Sequence, residues 1–332
     1  MTILAGDIGG TKTLLQLADI EEGSRYDVIF EKRYISAEWD DLTPMVQDFM
    51  QAAAASLGNT EVQAACFGIA GPVDGRNART TNLPWRLNAD AMQRDLGIAK
   101  VRLINDFQSV GYGIEVLADD DVVVLNAGRD VAHATRVITG AGTGLGQGLL
   151  VWQGEHYEVV ASEGGHADFA PTDAEQIKLL QHMQQQFKRC SWERVVSGTG
   201  ISNIHNYMLA AYPDEETAEL KQARSEGDSS AAISIAAGEA RDPLAKRSMD
   251  LFCTLYGAQA GNLALTGLAS GGVYVAGGVA PRIIEMLKNG LFMAGFMNKE
   301  ERMQDILAAM PVRVVVNSKV GLMGSAVAAS RL

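Results

Sequence analysis

The stretch Leu4-Ala-Gly-Asp-Ile-Gly-Gly-Thr-Lys-Thr13 tells most about the fold. Apolar residues 3–5 predict a strand that runs into Gly6, Asp7 and two further glycines, and residues 11–18 predict a second strand. Glycines at a strand-to-strand corner let the backbone approach a ligand closely, and a concavity lined by N–H groups suits phosphate oxygens. Asp7 is placed to hold a hydrated Mg²⁺ that a phosphate also binds. An ordinary glycine-rich hairpin with a buried aspartate accounts for the same spacing.

A second corner repeats this layout further along the chain. VVVLN (122–126) and TRVITGAGTGLGQGLLVW (135–152) predict a strand, a glycine-rich turn from 140 to 148 and another strand. The two segments share this layout but show no residue-by-residue sequence repeat. Two such halves indicate an α/β protein with two domains that face each other across a cleft.

The remaining pattern alternates between strands and helices. The predicted strands are 2–6, 11–19, 26–34, 62–69, 100–104, 272–276 and 312–316. Helices are predicted at 41–57, 88–96, 173–188, 200–212, 215–225, 228–238, 242–268 and 321–332, with another that starts near Pro281 and stops before Gly290.

Composition excludes several classes of protein. The 332 residues suffice for two domains, and 47% hydrophobic with 20% charged residues is typical of a globular chain. The net charge of −12 gives no general attraction to nucleic acid or to an anionic membrane, and no uninterrupted apolar run is long enough to span a bilayer. The three cysteines are scattered, which favours a reducing cytoplasm.

Familiar nucleotide and hydrolase motifs are missing from the sequence. GxxxxGK[ST], HExxH and G-x-S-x-G do not occur. GAGTGLG (140–146) has Leu145 where the last glycine of a dinucleotide fingerprint belongs, and a strand-like run follows it instead of a helix. A P-loop enzyme and a Rossmann dehydrogenase are therefore disfavoured.

Asp106 is the main candidate for catalysis. KVRLINDFQSVGYG (100–113) predicts a strand that ends at Asn105-Asp106 and is followed by a helix. A carboxylate at the carboxyl end of such a strand lies where ligands gather, and it can accept the proton of an alcohol that attacks a phosphoryl group. The same position is also typical of a helix N-cap.

Three other segments carry polar groups in suggestive places. Glu163 and His166 flank two glycines, an arrangement that suits a polyol, although a chance pair on a surface loop or, with Asp168, a metal site also fits. Glu193 follows Ser191 in a stretch that also resembles a capping box. Gly277-Gly278 lies between a strand and a helix, as in amide-rich helix starts that bind anions or nucleotide.

The order and spacing of these motifs resemble the bacterial glucokinase family. The motifs span nearly the whole chain: GDIGGTKT, GIAGPV (68–73), TNLPW (81–85), LINDF, GAGTGLG, EGGHADFAP (163–171), ERVVSGTG (193–200), VAGGVAPR and GLMGSA. The resemblance implies a two-domain, ribonuclease-H-like (actin-like ATPase) fold with a central cleft, made by residues 1–113 plus 306–332 and residues 114–305. The zinc-binding cysteine cluster of the related repressor and sugar-kinase group is absent from the sequence, so the chain resembles the branch without it.

The resemblance also implies an ATP-dependent and Mg²⁺-assisted glucokinase that makes glucose 6-phosphate at the entry of glycolysis. Asp106 would be the general base, and domain closure would exclude water. The implied sugar contacts are Asn82, Asn105, Asp106, Glu163, His166 and Glu193. The implied nucleotide contacts are Gly6, Asp7, Ile8, Gly9, Gly10, Thr11, Lys12, Gly142, Thr143, Gly144, Gly277 and Gly278, with Asp7 also near Mg²⁺ through water.

Some alternatives stay open at this point. Lys12 would either touch phosphate or be solvated. A sugar-sensing regulator would need a DNA-binding domain, for which the start of the chain leaves no room, and a filament-forming or chaperone-type ATPase would not need the polyol residues. Mannose, fructose or an N-acetylated hexosamine competes with glucose as substrate, and ADP or polyphosphate with ATP as donor. A homodimer is expected from the resemblance alone.

Overall fold

The computed structural model describes residues 1–21, 25–58 and 60–332. The described residues divide into two compact units. Unit 1 comprises Met1–Asp120, Tyr157–Ala161 and Asn317–Leu332, and unit 2 comprises Asp121–His156 and Ser162–Val316. The domain boundaries implied by the resemblance stay a prediction.

The structure is of the mixed α/β class that the sequence predicts. Its strands are β1 (Thr2–Ile8), β2 (Lys12–Glu21), β3 (Arg25–Ile35), β4 (Ala64–Ile69), β5 (Val73–Asp74), β6 (Asn77–Arg79), β7 (Arg86–Asn88), β8 (Lys100–Asn105), β9 (Val122–Asn126), β10 (Arg136–Ala141), β11 (Leu145–Trp152), β12 (Tyr157–Ser162), β13 (Val273–Ala276) and β14 (Val312–Val315). Its α-helices are α1 (Leu42–Leu57), α2 (Ala89–Leu96), α3 (Asp106–Gly113), α4 (Ala174–Gln186), α5 (Gly198–Ala211), α6 (Ala218–Glu226), α7 (Ser229–Gly238), α8 (Pro243–Gly267), α9 (Ile284–Lys288), α10 (Leu291–Met297), α11 (Glu301–Ala308) and α12 (Val320–Ser330).

Unit 1 is built on a five-stranded sheet with the order β3-β2-β1-β4-β8. Strand β2 pairs antiparallel with both β3 and β1, whereas β1, β4 and β8 run parallel to one another. Strand β1 continues to Ile8, so the predicted strand 2–6 ends too early and Asp7 lies in the strand instead of the corner. The reason is that β1 is paired on both sides there, Asp7 opposite Leu14 on one side and Gly68 on the other.

Helices of unit 1 start where the sequence provides a cap. The Asp41 side chain accepts a hydrogen bond from the Leu42 N–H at the start of α1, which then buries Met45, Val46 and Phe49. The Asn88 side chain caps α2 by accepting a hydrogen bond from the Ala91 N–H. These caps explain why both predicted helices are confirmed to within one residue at their N-termini.

Unit 2 is built on a six-stranded sheet with the order β12-β11-β10-β13-β14-β9. Helix α8 begins with Asp242 as its N-cap and Pro243 in its first turn, and it buries most of its length, including Phe252 and Tyr256. Near Pro281 the chain forms a 3₁₀ turn over Ala280–Ile283 before α9, so the predicted helix starts later than expected.

Two further findings bear on the class of protein. No helix of the described ranges is both long enough and apolar enough to cross a membrane. Cys66, Cys190 and Cys253 are free and buried, as expected for thiols used as core residues.

The close crossing of α3 and α12 can be tested. A Cβ on Gly324 would overlap the Ser109 carbonyl oxygen and lie 2.5 Å from the Gly113 nitrogen. We expect Gly324→Ala to lower the free energy of unfolding by about 3 kcal/mol, because backbone atoms of a packed helix cannot move aside. The shift in the urea midpoint measures it.

Gly227→Ala is the matched control for this substitution. Its Cβ would have the Ala223 carbonyl oxygen as its nearest neighbour, at 3.8 Å, and its φ of −154° suits any residue. Equal midpoints for the two variants would contradict the proposed crossing.

Candidate functional site

The first glycine corner is a short loop held by hydrogen bonds. The Gly9 N–H donates to the Lys12 carbonyl at 3.0 Å, closing the turn between β1 and β2. Ser36, which directly follows β3, stabilises this turn through two hydrogen bonds. Its hydroxyl donates to the Gly9 carbonyl at 2.8 Å and its N–H donates to the Thr11 carbonyl at 3.1 Å. Thr11 and Lys12 are exposed.

Asn82 lies against this corner. An ideal Cβ on Gly10 would be 2.7 Å from the Asn82 Cβ and 3.2 Å from its Nδ2. The structure therefore places Asn82 beside the glycine loop, where only a glycine at position 10 leaves it room.

Asp106 is the first residue of α3, at the carboxyl end of β8. The N-cap of that helix is Asn105, whose Oδ1 accepts from the Phe107 N–H at 2.9 Å. The Asn105 Nδ2 donates to the Gly71 carbonyl at 3.2 Å. Asp106 Oδ1 also accepts from the Phe107 N–H, at 2.8 Å. The capping role thus belongs to Asn105, and Asp106 follows it.

Asp106 acts electrostatically on Asp7. Burial, and then the charge of Asp106, raise the pKa of Asp7 to about 6. The corner of unit 1 therefore brings two carboxylates together beside a loop of backbone amides.

The second corner, Gly142 to Gly144 with Thr143 between them, connects β10 to β11. The Gly142 N–H donates to the Gly144 carbonyl at 2.8 Å, and the Gly198 N–H at the start of α5 donates to the Gly142 carbonyl at 2.8 Å. Two glycine-rich segments far apart in sequence therefore meet here.

Gly277 and Gly278 lie beside the same corner. The Val279 N–H donates to the Ala141 carbonyl at 3.1 Å. Gly277 has a φ of +84°, and a Cβ there would collide with that carbonyl oxygen. The structure thus brings together the residues predicted for nucleotide binding in unit 2.

Tyr256 of α8 joins the two strands that lead into these glycines. Its buried hydroxyl accepts from the Ala141 N–H at 2.9 Å and donates to the Ala276 carbonyl at 3.3 Å. Sequence inspection did not single out this residue, since a tyrosine in an apolar helix is ordinarily a packing residue.

Glu163, His166 and Glu193 form one cluster in unit 2. The His166 Nε2 lies 3.8 Å from Glu163 Oε2, and its Nδ1 lies 3.9 Å from Glu193 Oε1. The Glu163 side chain is 88% exposed and that of His166 62%, against 30% for Glu193. The three side chains therefore lie close together and carry oxygen and nitrogen atoms that can accept or donate hydrogen bonds.

Glu193 links this cluster to the second corner. Its Oε2 accepts from the Leu145 N–H at 3.0 Å, directly after Gly144. The Glu193 carbonyl accepts from the Ser197 hydroxyl, which also caps α5. The Glu193 side chain therefore connects this cluster to the glycine turn.

Asp168 stands apart from this cluster. Its carboxylate pairs with Arg189 at 2.5 Å. Within the described ranges no group of three or more His, Cys, Asp and Glu side chains is arranged to hold a metal ion.

A cavity of about 670 Å³ lies in unit 2. Its walls come from α5, α7 and α8 and from the 3₁₀ turn and helix that follow Gly278, and they include Ile201, Ser230, Ile235, Met249, Val279 and Arg282. This size is typical of small-molecule sites. The sequence signal for it was weak, because its residues are spread over four separate segments and only 279–282 belong to a recognised motif.

Solved structures share this fold over the full chain. The glucokinase of an Antarctic psychrotroph aligns with a TM-score of 0.87 and 26% identity, covering 100% of this chain and 99% of that one. A ROK-family glucokinase from Streptomyces griseus, in complex with glucose and AMPPNP, aligns with a TM-score of 0.64 and 22% identity, covering 100% of both chains. The fold is that of the actin-like ATPases, in the class that contains sugar kinases.

Sequence relatives narrow this class. The glucokinase family model matches residues 4–332. A glucokinase of Synechocystis sp. is 47% identical, covering 100% of this chain and 98% of its own. The chain belongs to the glucokinase family, which confirms the family predicted from its motifs.

The Tyr256 bridge leads to a stability prediction. We expect Tyr256→Phe to lower the free energy of unfolding by about 2 kcal/mol, because it leaves the buried Ala141 N–H without its acceptor. Thermal unfolding measures the loss.

Tyr207→Phe serves as the control within unit 2. The Tyr207 hydroxyl donates to the Glu175 carboxylate at 2.7 Å. That carboxylate can be solvated instead, so the loss should be smaller. A smaller loss for Tyr256→Phe than for the control would show that the bridge contributes little.

Proposed function

We propose that this chain transfers the γ-phosphoryl group of ATP to the 6-hydroxyl of D-glucose and so produces glucose 6-phosphate. The observation that carries the proposal is the double engagement of Glu193. One of its oxygens accepts from Leu145 at the amide-lined corner, while the other faces His166 in the polyol cluster. A polyol site and a phosphate site that share one side chain suit a sugar kinase.

Asp106 is the proposed general base. In the reaction, the 6-hydroxyl oxygen bonds to the γ-phosphorus, the bond from that phosphorus to the β-γ bridging oxygen breaks, and ADP leaves with the electron pair. Asp106 receives the hydroxyl proton late, as catalytic aspartates do in phosphoryl transfer. Its place at the carboxyl end of β8 supports this role.

The other sugar contacts are proposed from both units. Asn82, Asn105 and Asp106 belong to unit 1, whereas Glu163, His166 and Glu193 belong to unit 2. All six are the sugar contacts that the family resemblance implies. Asn105 already donates to Gly71 through its Nδ2, which holds its side chain in one orientation for that purpose.

The nucleotide contacts are proposed along the glycine segments. Residues 6–12 and 142–144 would take the phosphates through backbone amides. The adenosine would enter the 670 Å³ cavity beside Gly277 and Gly278, against apolar walls such as Ile201 and Ile235. Exposed Lys12 is available to the phosphates, and its role stays open.

Mg²⁺ is proposed to accompany ATP. The raised pKa of Asp7, near 6 through burial and Asp106, fits a carboxylate that gains stability beside a cation. Asp7 would hold the ion through water, with phosphates as its other ligands. When bound, the ion spreads the charge of the transferring phosphoryl group.

The proposal also names glucose as the hexose and ATP as the phosphoryl donor. A coupled assay with glucose, mannose, fructose and N-acetylglucosamine, each with ATP, ADP or polyphosphate, tests both. Glucose with ATP is expected to give the highest kcat/KM, and preference for another pair would replace it. A homodimer that takes part in glycolysis remains a prediction from the family resemblance, and a cytoplasmic location remains a prediction from the scattered cysteines.

Removing the general base should slow the chemical step. We expect Asp106→Asn to reduce kcat by a factor of about 10² or more. The amide Oδ1 still accepts from the Phe107 N–H, so folding should be retained. The matched control is Asp95→Asn, an exposed carboxylate on α2 of the same unit. Near wild-type turnover by the Asp106 variant would reject its assignment as base.

Removing the charge of Glu163 should weaken sugar binding. We expect Glu163→Gln to raise the glucose KM about tenfold, by the usual weight of a hydrogen bond to a charged group, with a smaller change in kcat. The exposed Glu155→Gln provides the control. A glucose KM equal in both variants would remove Glu163 from the sugar contacts.

A further inference from the structure

The wall of the 670 Å³ cavity that α7 provides is held by charged and polar side chains that the reaction does not use. Ser230, Ser234 and Ile235 of α7 line the cavity. The helix begins at Ser229, capped by Asp228, whose Oδ1 accepts from the Ser230 N–H at 2.9 Å and from the Ser230 hydroxyl at 2.8 Å. The position of this first turn therefore sets the shape of the cavity.

The same turn approaches the second glycine corner. An ideal Cβ on Gly198 would lie 3.5 Å from the Ser230 Oγ and 3.3 Å from the Gly142 carbonyl oxygen. A displacement of α7 by about an ångström would thus change both the shape of the cavity and the packing against the corner proposed for phosphate.

The side chain of Arg224 on α6 contacts the first turn of α7. Its Nε donates to the Ser229 Oγ at 3.2 Å, its Nη1 to Glu216 Oε1 at 2.5 Å and its Nη2 to Asn206 Oδ1 at 2.6 Å. Asn206 lies on α5, so one planar guanidinium joins α5, α6 and α7. The rigid fork of arginine can hold three acceptors in fixed directions, which a lysine cannot do.

The partner carboxylate is almost fully enclosed. The Glu216 side chain is 5% exposed, and its Oε1 lies 3.0 Å from the Nε2 of His205, whose side chain is fully buried. Burial alone would raise the pKa of Glu216, but hydrogen bonds from Arg224 and His205 keep it below its usual range. A buried ion pair contributes little net stability, since desolvation offsets its attraction, so geometry is the better reason for this one.

From these contacts we propose that Arg224 is a positioning residue for nucleotide binding, which holds the first turn of α7 through Ser229. The inference rests on the proposed function, because it takes the cavity to be the adenosine site. Arg224 touches neither substrate nor the reacting atoms; it acts through the wall that α7 forms.

Two variants separate positioning from stability. Arg224→Lys keeps a cation beside Glu216 but cannot serve all three acceptors, and Ser229→Ala removes only the link to α7. Arg247→Lys and Ser225→Ala are the matched controls. Arg247 makes a half-exposed ion pair with Glu215 at 3.0 Å, and Ser225 donates to its own helix at the Gln222 carbonyl.

The readouts are the KM for ATP, the KM for glucose, and the Kd of ATP with Mg²⁺ measured by calorimetry on the full chain. We expect both test variants to raise the KM and Kd for ATP about fivefold, the usual effect of one lost hydrogen bond, with glucose KM unchanged. The controls should match the original protein. Unchanged ATP values, or equal rises for glucose and ATP, would overturn the role of Arg224.

Failure of the proposed function would look different. An unaltered protein that binds ATP but phosphorylates no hexose would refute the kinase assignment, and the calorimetric Kd values would still decide the role of Arg224. If the unaltered protein did not bind ATP, the positioning role would fall with it.

Discussion

The geometry of unit 1 depends on the contact of α12 with both α3 and the central strands. Ser325 of α12 donates to the Gly6 carbonyl of β1 at 2.9 Å, and its hydroxyl lies 3.2 Å from that of Ser109 on α3. Both hydroxyls are buried, so each bond replaces hydration that the fold has removed. These contacts hold the helix that begins at Asp106 against the strand that carries Asp7.

Unit 2 uses the same principle with different side chains. The Tyr256 hydroxyl bridges the ends of β10 and β13, and Glu193 binds the amide that follows Gly144. In each unit the flexible glycine turn is thus anchored at its flanks by a side chain from another element. Amides presented in this way need little reordering when an anion binds, so affinity is not lost to ordering the loop.

The sequence predicted those parts of the fold that local chemistry decides. Helix α1 was confirmed because Asp41 caps it and an apolar stripe follows, and α12 because small residues repeat over its length. The predicted end of the first strand was wrong, because pairing on both sides of β1 continues past Gly6 through Asp7 to Ile8.

What the sequence missed depends on contacts between distant segments. Strands β5 to β7 have two or three residues each, too few for a periodic signal. The cavity joins residues near 201, 230 and 282, and Arg224 matters only through α5 and α7. No local pattern reports such neighbours, whereas the motif order identified the family because relatives share the whole arrangement.

The environment of Asp7, which includes the charge of Asp106, lowers the stability of the folded protein at neutral pH. A carboxyl whose pKa rises from 3.8 to about 6 on folding is destabilising above that range, because the folded state resists its ionisation. Stability is therefore lost as the pH rises from about 4 to 6, and the cost near neutral pH is about 3 kcal/mol at 1.36 kcal/mol per pKa unit. A neutral residue at position 7 would avoid this cost. Under the proposed function, the cation that enters with ATP favours the ionised form of Asp7, which burial and then the charge of Asp106 disfavour. The folded protein without ligand therefore carries a penalty that binding relieves. Part of the binding free energy would then come from this relief and not from new contacts, which ties the affinity for the nucleotide to the presence of the ion.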